Sequence, residues 1–186
     1  MLDFKIKKLK NKHIKFIQKL ILNNPNKYIS PKLKKTKKIL KDKISYGIFV
    51  NEDLIAFNLS FFSNNVTLKR TTCVISHQDL VSKDYNSNGF QKILNNHRDG
   101  KINKSIPIIT RVSPLNVRSL KNILNLGFQL DKIVIKNKEN GEFTVPEESY
   151  TAKHYIEMTN EEISKNEVCL DDIRYMMKKL IHPIPQ

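Results

Sequence analysis

The sequence predicts a mixed α/β fold, and three observations carry that expectation. Some segments alternate apolar and polar residues, as half-buried strands do, while others repeat apolar residues at three- and four-residue steps, as one-faced helices do. Two β-rich runs, "ISYGIFV" and "LIAFNLSFF", are parted only by "NED", which predicts a hairpin. Further along, strand-like and helical runs take turns, which predicts crossovers. The chain has 186 residues, 39% of them apolar, a length and composition suited to a folded domain with a sizeable core.

The elements follow in order. Phe4, Ile6 and Leu9 among lysines suggest a short strand over 3–9. In "NKHIKFIQKLILNN", Ile14, Ile17, Leu20 and Ile21 share one helix face. Ser30-Pro31 reads as an N-cap with proline at the first helical position, opening a helix with Leu33, Ile39 and Leu40 inward. After the hairpin, "CVISHQDLV" is a strand ending near Val81, the polar cluster "SKDYNSNG" is a turn, and "FQKILNNH" continues as a helix. "SIPIITRV" is a strand. Pro114 opens the next helix, with Leu115, Leu120, Ile123 and Leu124 as its apolar stripe, and Gly127 closes it. "FQLDKIVIK" and "AKHYIEM" read as late strands around an Asn140-Gly141 loop. Thr159 to Glu162 fits a capping box, and a last helix is expected over about 170–181, where Tyr175, Met176 and Met177 suggest packing or a dimer contact. No internal boundary is expected before residue 158, and 159–186 reads as a helical extension packed on the same domain.

The formal charge is +15, which attracts polyanions. It is concentrated at one end: residues 1–43 carry fifteen lysines against Asp3 and Asp42, whereas 139–172 carry ten acidic residues against Lys153 and Lys165. A nucleic-acid footprint and a lysine-rich codon bias both account for this. Cys73 and Cys169 match no metal or redox spacing and read as buried thiols. No run resembles a signal peptide or a bilayer span, so the expectation is a cytoplasmic protein with no membrane partner.

Two stretches carry chemistry. In "YNSNGFQKIL", residues 85–94, a glycine-bearing turn leads from strand to helix, and the first amides of a helix lack internal partners, so they can hold an anion. In "VSPLNVRSLKNILNLGF", residues 112–128, Asn116 and Ser119 sit three apart at the start of a helix. They serve either as a capping pair or as hydrogen-bond partners of a ligand beside the helix start.

Together these stretches resemble the GNAT superfamily of N-acetyltransferases. In that family a strand ends in valine, three residues, an aromatic, and then an R/Q-x-x-G-x-G/A loop that opens a helix; here Val81 and Tyr85 precede Asn86-Ser87-Asn88-Gly89-Phe90-Gln91. A later N-x-x-A/S motif, with a helix ending in Gly-Phe, is matched by Asn116, Ser119, Gly127 and Phe128. The resemblance covers residues 2–158. It implies a central mixed sheet of about six to seven strands flanked by helices, with a splayed strand pair at a cofactor cleft. The implied cofactor is acetyl-CoA or another acyl-CoA. Backbone amides of Asn86, Ser87, Asn88, Gly89, Phe90 and Gln91 would grip its pyrophosphate, with Leu80 and Val81 along the pantetheine arm and Asn116 near it, Ser119 completing that motif.

Three positions depart from the family pattern: Asn86 for Arg or Gln, Gln91 for Gly or Ala, and Ile123 where many members have a tyrosine acid. For a base, the family's frequent strand carboxylate points to Asp79, with His77 second; in a regular strand both lie on one face. Each also reads as an ordinary polar residue of a solvated strand. His154 and Tyr155 stand on a late strand expected beside the cleft, and Arg70 and Arg111 are candidates for anionic acceptors. The implied reaction is transfer of an acyl group to a primary amine of an unidentified acceptor, anionic acceptors being among the candidates. Alternatives are an inactive CoA-binding sensor on the same fold and a basic protein associated with tRNA or other nucleic acid through residues 1–43. A homodimer is a further expectation.

Overall fold

The structure is a computed structural model that describes residues 2–24, 33–64, 72–86, 88–136, 143–144 and 173–181. They fall into two compact units, one built on the chain up to Ile108 and the other on Ile109–Leu180. From the sequence no boundary is expected before residue 158, whereas these units divide after Ile108.

The first unit contains β1 (Lys5–Lys8), β2 (Tyr46–Val50), β3 (Asp53–Asn64) and β4 (Thr72–Val81), paired in that order and antiparallel throughout. The hairpin predicted at "NED" joins β2 to β3. Asn51 and Glu52 both have positive φ, 46° and 72°, the backbone of a two-residue hairpin turn whose twist matches that of its strands. Against one face lie α1 (Ile14–Leu22) and α2 (Leu33–Leu40). Ile14, Ile17 and Leu20 of α1 and Ile39 and Leu40 of α2 pack on Phe49, Phe57 and Leu59, as the three- and four-residue spacing predicts. The other face receives α3 (Phe90–Asp99), whose Phe90 and Leu94 meet Tyr46, Ile48, Val50, Ile55 and Ala56. Cys73 is buried, as expected for a structural thiol; Cys169 lies outside the described residues.

The second unit holds β5 (Ile108–Val112), α4 (Val117–Asn125), β6 (Gln129–Lys136), β7 (Phe143–Thr144) and β8 (Ile173–Lys179). Its strand order is β5-β8-β6-β7, with β6 antiparallel to both β8 and β7. The expected final helix is therefore corrected over this stretch: residues 173–179 are a strand inserted beside β6. A short apolar run fits either period, and a position between two strands selects the extended form. Met176 and Met177 are adjacent yet both buried, because a central strand has two covered faces; they are interior packing. The eight strands described exceed the six to seven expected.

The opening of α4 is also corrected. Pro114 lies in a turn in which the Asn116 N–H donates to the Ser113 carbonyl at 3.0 Å, and the helix starts at Val117, capped by Asn116. Of the expected stripe, Ile123 is buried and Leu120 half-buried, while Leu115 and Leu124 are exposed. Gly127 ends α4 at φ 84°, the left-handed conformation that glycine adopts at low cost. The expected Ser30-Pro31 cap, the "AKHYIEM" strand, the Thr159–Glu162 capping box and the boundary near 158 lie outside the described residues.

Candidate active site

The site expected on the first unit is built by β4, the turn after it, and the first turn of α3. Leu80 faces the core shared with α1 and α2; Val81 faces the core shared with α3. The Ser82 N–H donates to the Ile55 carbonyl at 2.8 Å, and a single 3₁₀ turn at Lys83–Tyr85 follows. Tyr85 and Phe90 pack together with ring centroids 6.3 Å apart, and Phe90 meets Phe4 edge-on at 5.4 Å. These two aromatics pin both ends of the loop. Between them Asn86, Asn88 and Gly89 are exposed, and the Asn88 side-chain amide donates back to the Tyr85 carbonyl at 3.1 Å. Ser87 lies outside the described residues.

Gly89 is the N-cap of α3, with φ 70°. That conformation turns the chain into the helix and is strained for any residue with a side chain. Among the described residues, a Cβ built there would meet nothing within 4 Å, so they leave the space over the helix start open. No side chain among the described residues caps α3, and its first turn holds no acidic residue. Lys83 and Lys92 are exposed nearby. Amides at a helix start, a glycine that shields none of them and flanking lysines together fit an anion such as a diphosphate.

Gln91 stands where the family pattern has a small residue. Its side-chain amide is directed at β4, with Nε2 3.5 Å from Asp79 Oδ2. Asn95, one turn later, donates from Nδ2 to Asp79 Oδ2 at 2.7 Å and to the Gln91 carbonyl at 2.9 Å. Deeper along the same seam Arg98, with 0% exposure, donates from Nε and Nη2 to Asp99 Oδ1 at 2.9 and 2.8 Å and from Nη1 to Ser76 Oγ at 2.7 Å and Ser60 Oγ at 3.2 Å. The Asn58 side chain bridges the Tyr46 N–H, at 2.9 Å, and the Leu94 carbonyl, at 3.1 Å. Sequence reasoning missed this network, although one signal for it was present. Gln91, Asn95 and Arg98 recur at helical spacing beside the apolar pair Phe90 and Leu94, so α3 carries a polar stripe along its covered side.

Asp79 and His77 do not share a face, which corrects the expectation for a regular strand. The β3–β4 register shifts between Leu59 and Ser60: Leu59 pairs with Gln78, and Ser60 with Ser76. His77 is thus the extra residue of a bulge, and a bulge re-aims side chains. The His77 ring lies against Phe61, 6.1 Å between centroids, and Phe61 belongs to the core shared with α1 and α2. Asp79 faces α3. Burial pushes the Asp79 carboxyl above its usual range and outweighs the opposing pull of Arg98 and of the Asn95 and Gln91 hydrogen bonds; Asp99 adds to the rise. Among the described residues its Oδ1 is buried without a hydrogen-bond partner.

On the second unit, Asn116 takes the capping role: its Oδ1 accepts from the Ser119 N–H at 3.1 Å. Ile123 is a core residue at 8% exposure. Burial, and then the neighbouring Arg174, lower the Arg111 guanidinium's affinity for its proton. Arg70, His154 and Tyr155 lie outside the described residues. Among the described residues, no helix is long and apolar enough to cross a membrane.

No protein-family model matches this chain, and no curated protein sequence does. Solved structures do match. Ard1 from Thermoplasma volcanium superposes with a TM-score of 0.66 at 9% identity, over 97% of this chain and 99% of that one. The ribosomal-protein-S18-alanine N-acetyltransferase from Escherichia coli gives 0.63 at 11%, over 99% and 97%. Naa50 of Arabidopsis thaliana, in complex with the bisubstrate analogue CoA-Ac-MVNAL, gives 0.60 at 14%, over 96% and 99%. All three are GNAT N-acetyltransferases, and the chain has the GNAT fold, a mixed α/β sheet flanked by helices.

Proposed function

We propose that the chain is an acyl-CoA-dependent N-acyltransferase that transfers an acetyl or other acyl group to a primary amine. The observation that carries this reading is the open start of α3 behind a glycine at φ 70°, with no acidic residue in its first turn, standing in the GNAT fold where the resemblance expects a diphosphate. The amides of Asn86 to Gln91 would hold that diphosphate, and Leu80 and Val81 would line the arm. For Asn116 and Ser119 the geometry favours the cap of α4, so their part in holding the arm rests on the resemblance alone.

A bound acyl-CoA supplies an activated acyl group, whose C–S bond breaks as the amine's N–C bond forms and whose thiol departs with a proton. This chain's contribution is then placement and the handling of the amine's proton. Placement is worth about 7–11 kcal/mol, and a base about 10²–10⁴-fold in rate. Asp79 is the proposed proton acceptor, because it faces α3 and burial raises its carboxyl's affinity for a proton above the usual carboxylate range. His77 ranks below it, its ring being committed to Phe61. Of the matched structures, one holds the bisubstrate analogue CoA-Ac-MVNAL and one is a ribosomal-protein-S18-alanine N-acetyltransferase, so peptide α-amines are the first acceptors to try. The lysines of residues 1–43 suit an acceptor bearing phosphates or carboxylates; a tRNA acceptor would show a linear fall of log affinity with log salt.

The test is thiol release from acetyl-CoA in the presence of peptide and small-amine panels. Amine-dependent release of free CoA is expected. Binding without release favours the second reading, a CoA sensor, which the burial of Ile123 at the usual position of the acid supports. Neither binding nor release overturns both.

A further inference from the structure

We propose that Asp79 and Asn95 form a clamp that holds the Gln91 side chain against β4 and thereby keeps the first turn of α3 open to a diphosphate-bearing ligand. The inference rests on the acyl-CoA reading and concerns the position at which this sequence departs from it. Gln91 is the second residue of α3. A glutamine there carries a carbonyl oxygen within one side chain's reach of the loose amides, and local side-chain oxygens readily satisfy such groups. Left to rotate, Gln91 is an internal competitor for the donors that a diphosphate would use.

The surroundings of Gln91 oppose that rotation. Asp79 Oδ2 already accepts from the Asn95 amide, so it selects the NH2 end of the Gln91 amide, which stands 3.5 Å away. Asn95, 1% exposed, ties the carboxylate to the Gln91 backbone through two donated bonds of 2.7 and 2.9 Å. The second carboxylate oxygen, Oδ1, is buried with no hydrogen-bond partner among the described residues, so a further acceptor stands beside the first. The bulge at His77 is what turns Asp79 to this side of the sheet. In this arrangement Asp79 is a positioning residue for binding, separate from any part in proton transfer: loss of a base lowers turnover and leaves the affinity for acetyl-CoA alone.

The test is calorimetric titration of acetyl-CoA into four proteins: wild type, Asp79→Ala, Asp79→Asn and Asp79→Ala/Gln91→Ala. Asp79→Ala is expected to weaken binding about three- to tenfold, the scale of ordering or releasing one long side chain. Asp79→Asn, which still accepts from Gln91 and Asn95, should lose less. The double variant should recover affinity relative to Asp79→Ala, which general damage to the fold would not allow. A wild type without affinity overturns the acyl-CoA reading itself. A wild type that binds, with an Asp79→Ala that binds equally or is not rescued by removing the Gln91 side chain, overturns the clamp alone. Should Asp79→Ala fail to fold, proton NMR of the wild type decides: nuclear Overhauser contacts between the Gln91 side-chain NH2 and the Asp79 Hβ protons support the clamp, and their absence overturns it.

Discussion

Asp79 concentrates the residue-scale argument. Its carboxyl is held above the usual range by burial, against the opposing pull of Arg98, Asn95 and Gln91. The fold therefore binds this proton more tightly than the unfolded chain does. The resulting stabilisation is complete below the ordinary carboxylate pKa and is lost as pH rises through the folded value. Asp79→Asn removes the dependence. Urea denaturation should show the stability difference moving in the variant's favour as pH rises from about 4 toward neutral, by no more than about 1.4 kcal/mol per pH unit. A difference that stays constant with pH contradicts the assignment. The resemblance singles out the residue itself in the sequence. Its partners are not legible there, because the face on which a strand residue lies depends on the register opposite it, and the bulge at His77 depends on a β3 pairing that no local pattern encodes.

At the scale of elements, strongly periodic segments were legible: α1, the β2–β3 hairpin and the glycine end of α4 all follow from spacing and turn chemistry. The strand β8 was not. "IRYMMKK" is short, and what makes it a strand is its neighbour β6, which pairs with it from Gln129↔Lys178 to Ile135↔Ile173. Met177, 1% exposed, gives the consequence. Met177→Ala should cost about 2–5 kcal/mol, as for other large-to-small changes in cores, read as a lowered urea midpoint. A cost below about 1 kcal/mol, ordinary for an exposed site, contradicts the interior position. Likewise the helix start expected at Pro114 gave way to Asn116, because a side chain that satisfies a loose amide fixes the boundary better than a proline two residues earlier.

For the whole molecule, the GNAT fold was legible from the order of elements and two motifs, although no family model registers the sequence. At 9–14% identity to the three solved structures named above, the fold is shared with few identical residues. The proposed amide-built site would tolerate such divergence: main-chain donors need a turn, a glycine and a helix start, and few particular side chains. The lysine-rich residues 1–43 are a property of composition, and the nature of the acceptor is not written in them, since any polyanion answers to the same charge.

The central claim is that the amides opening α3 hold a diphosphate, and it is tested most directly by following backbone amide signals in a nitrogen-15 NMR titration with coenzyme A, with pantetheine as the control that lacks the diphosphate. The account predicts saturable shifts centred on Asn88, Gly89, Phe90, Gln91 and Lys92 with coenzyme A, and far smaller ones with pantetheine. Unchanged signals at these five residues up to millimolar coenzyme A, or equal shifts with both compounds, would contradict it.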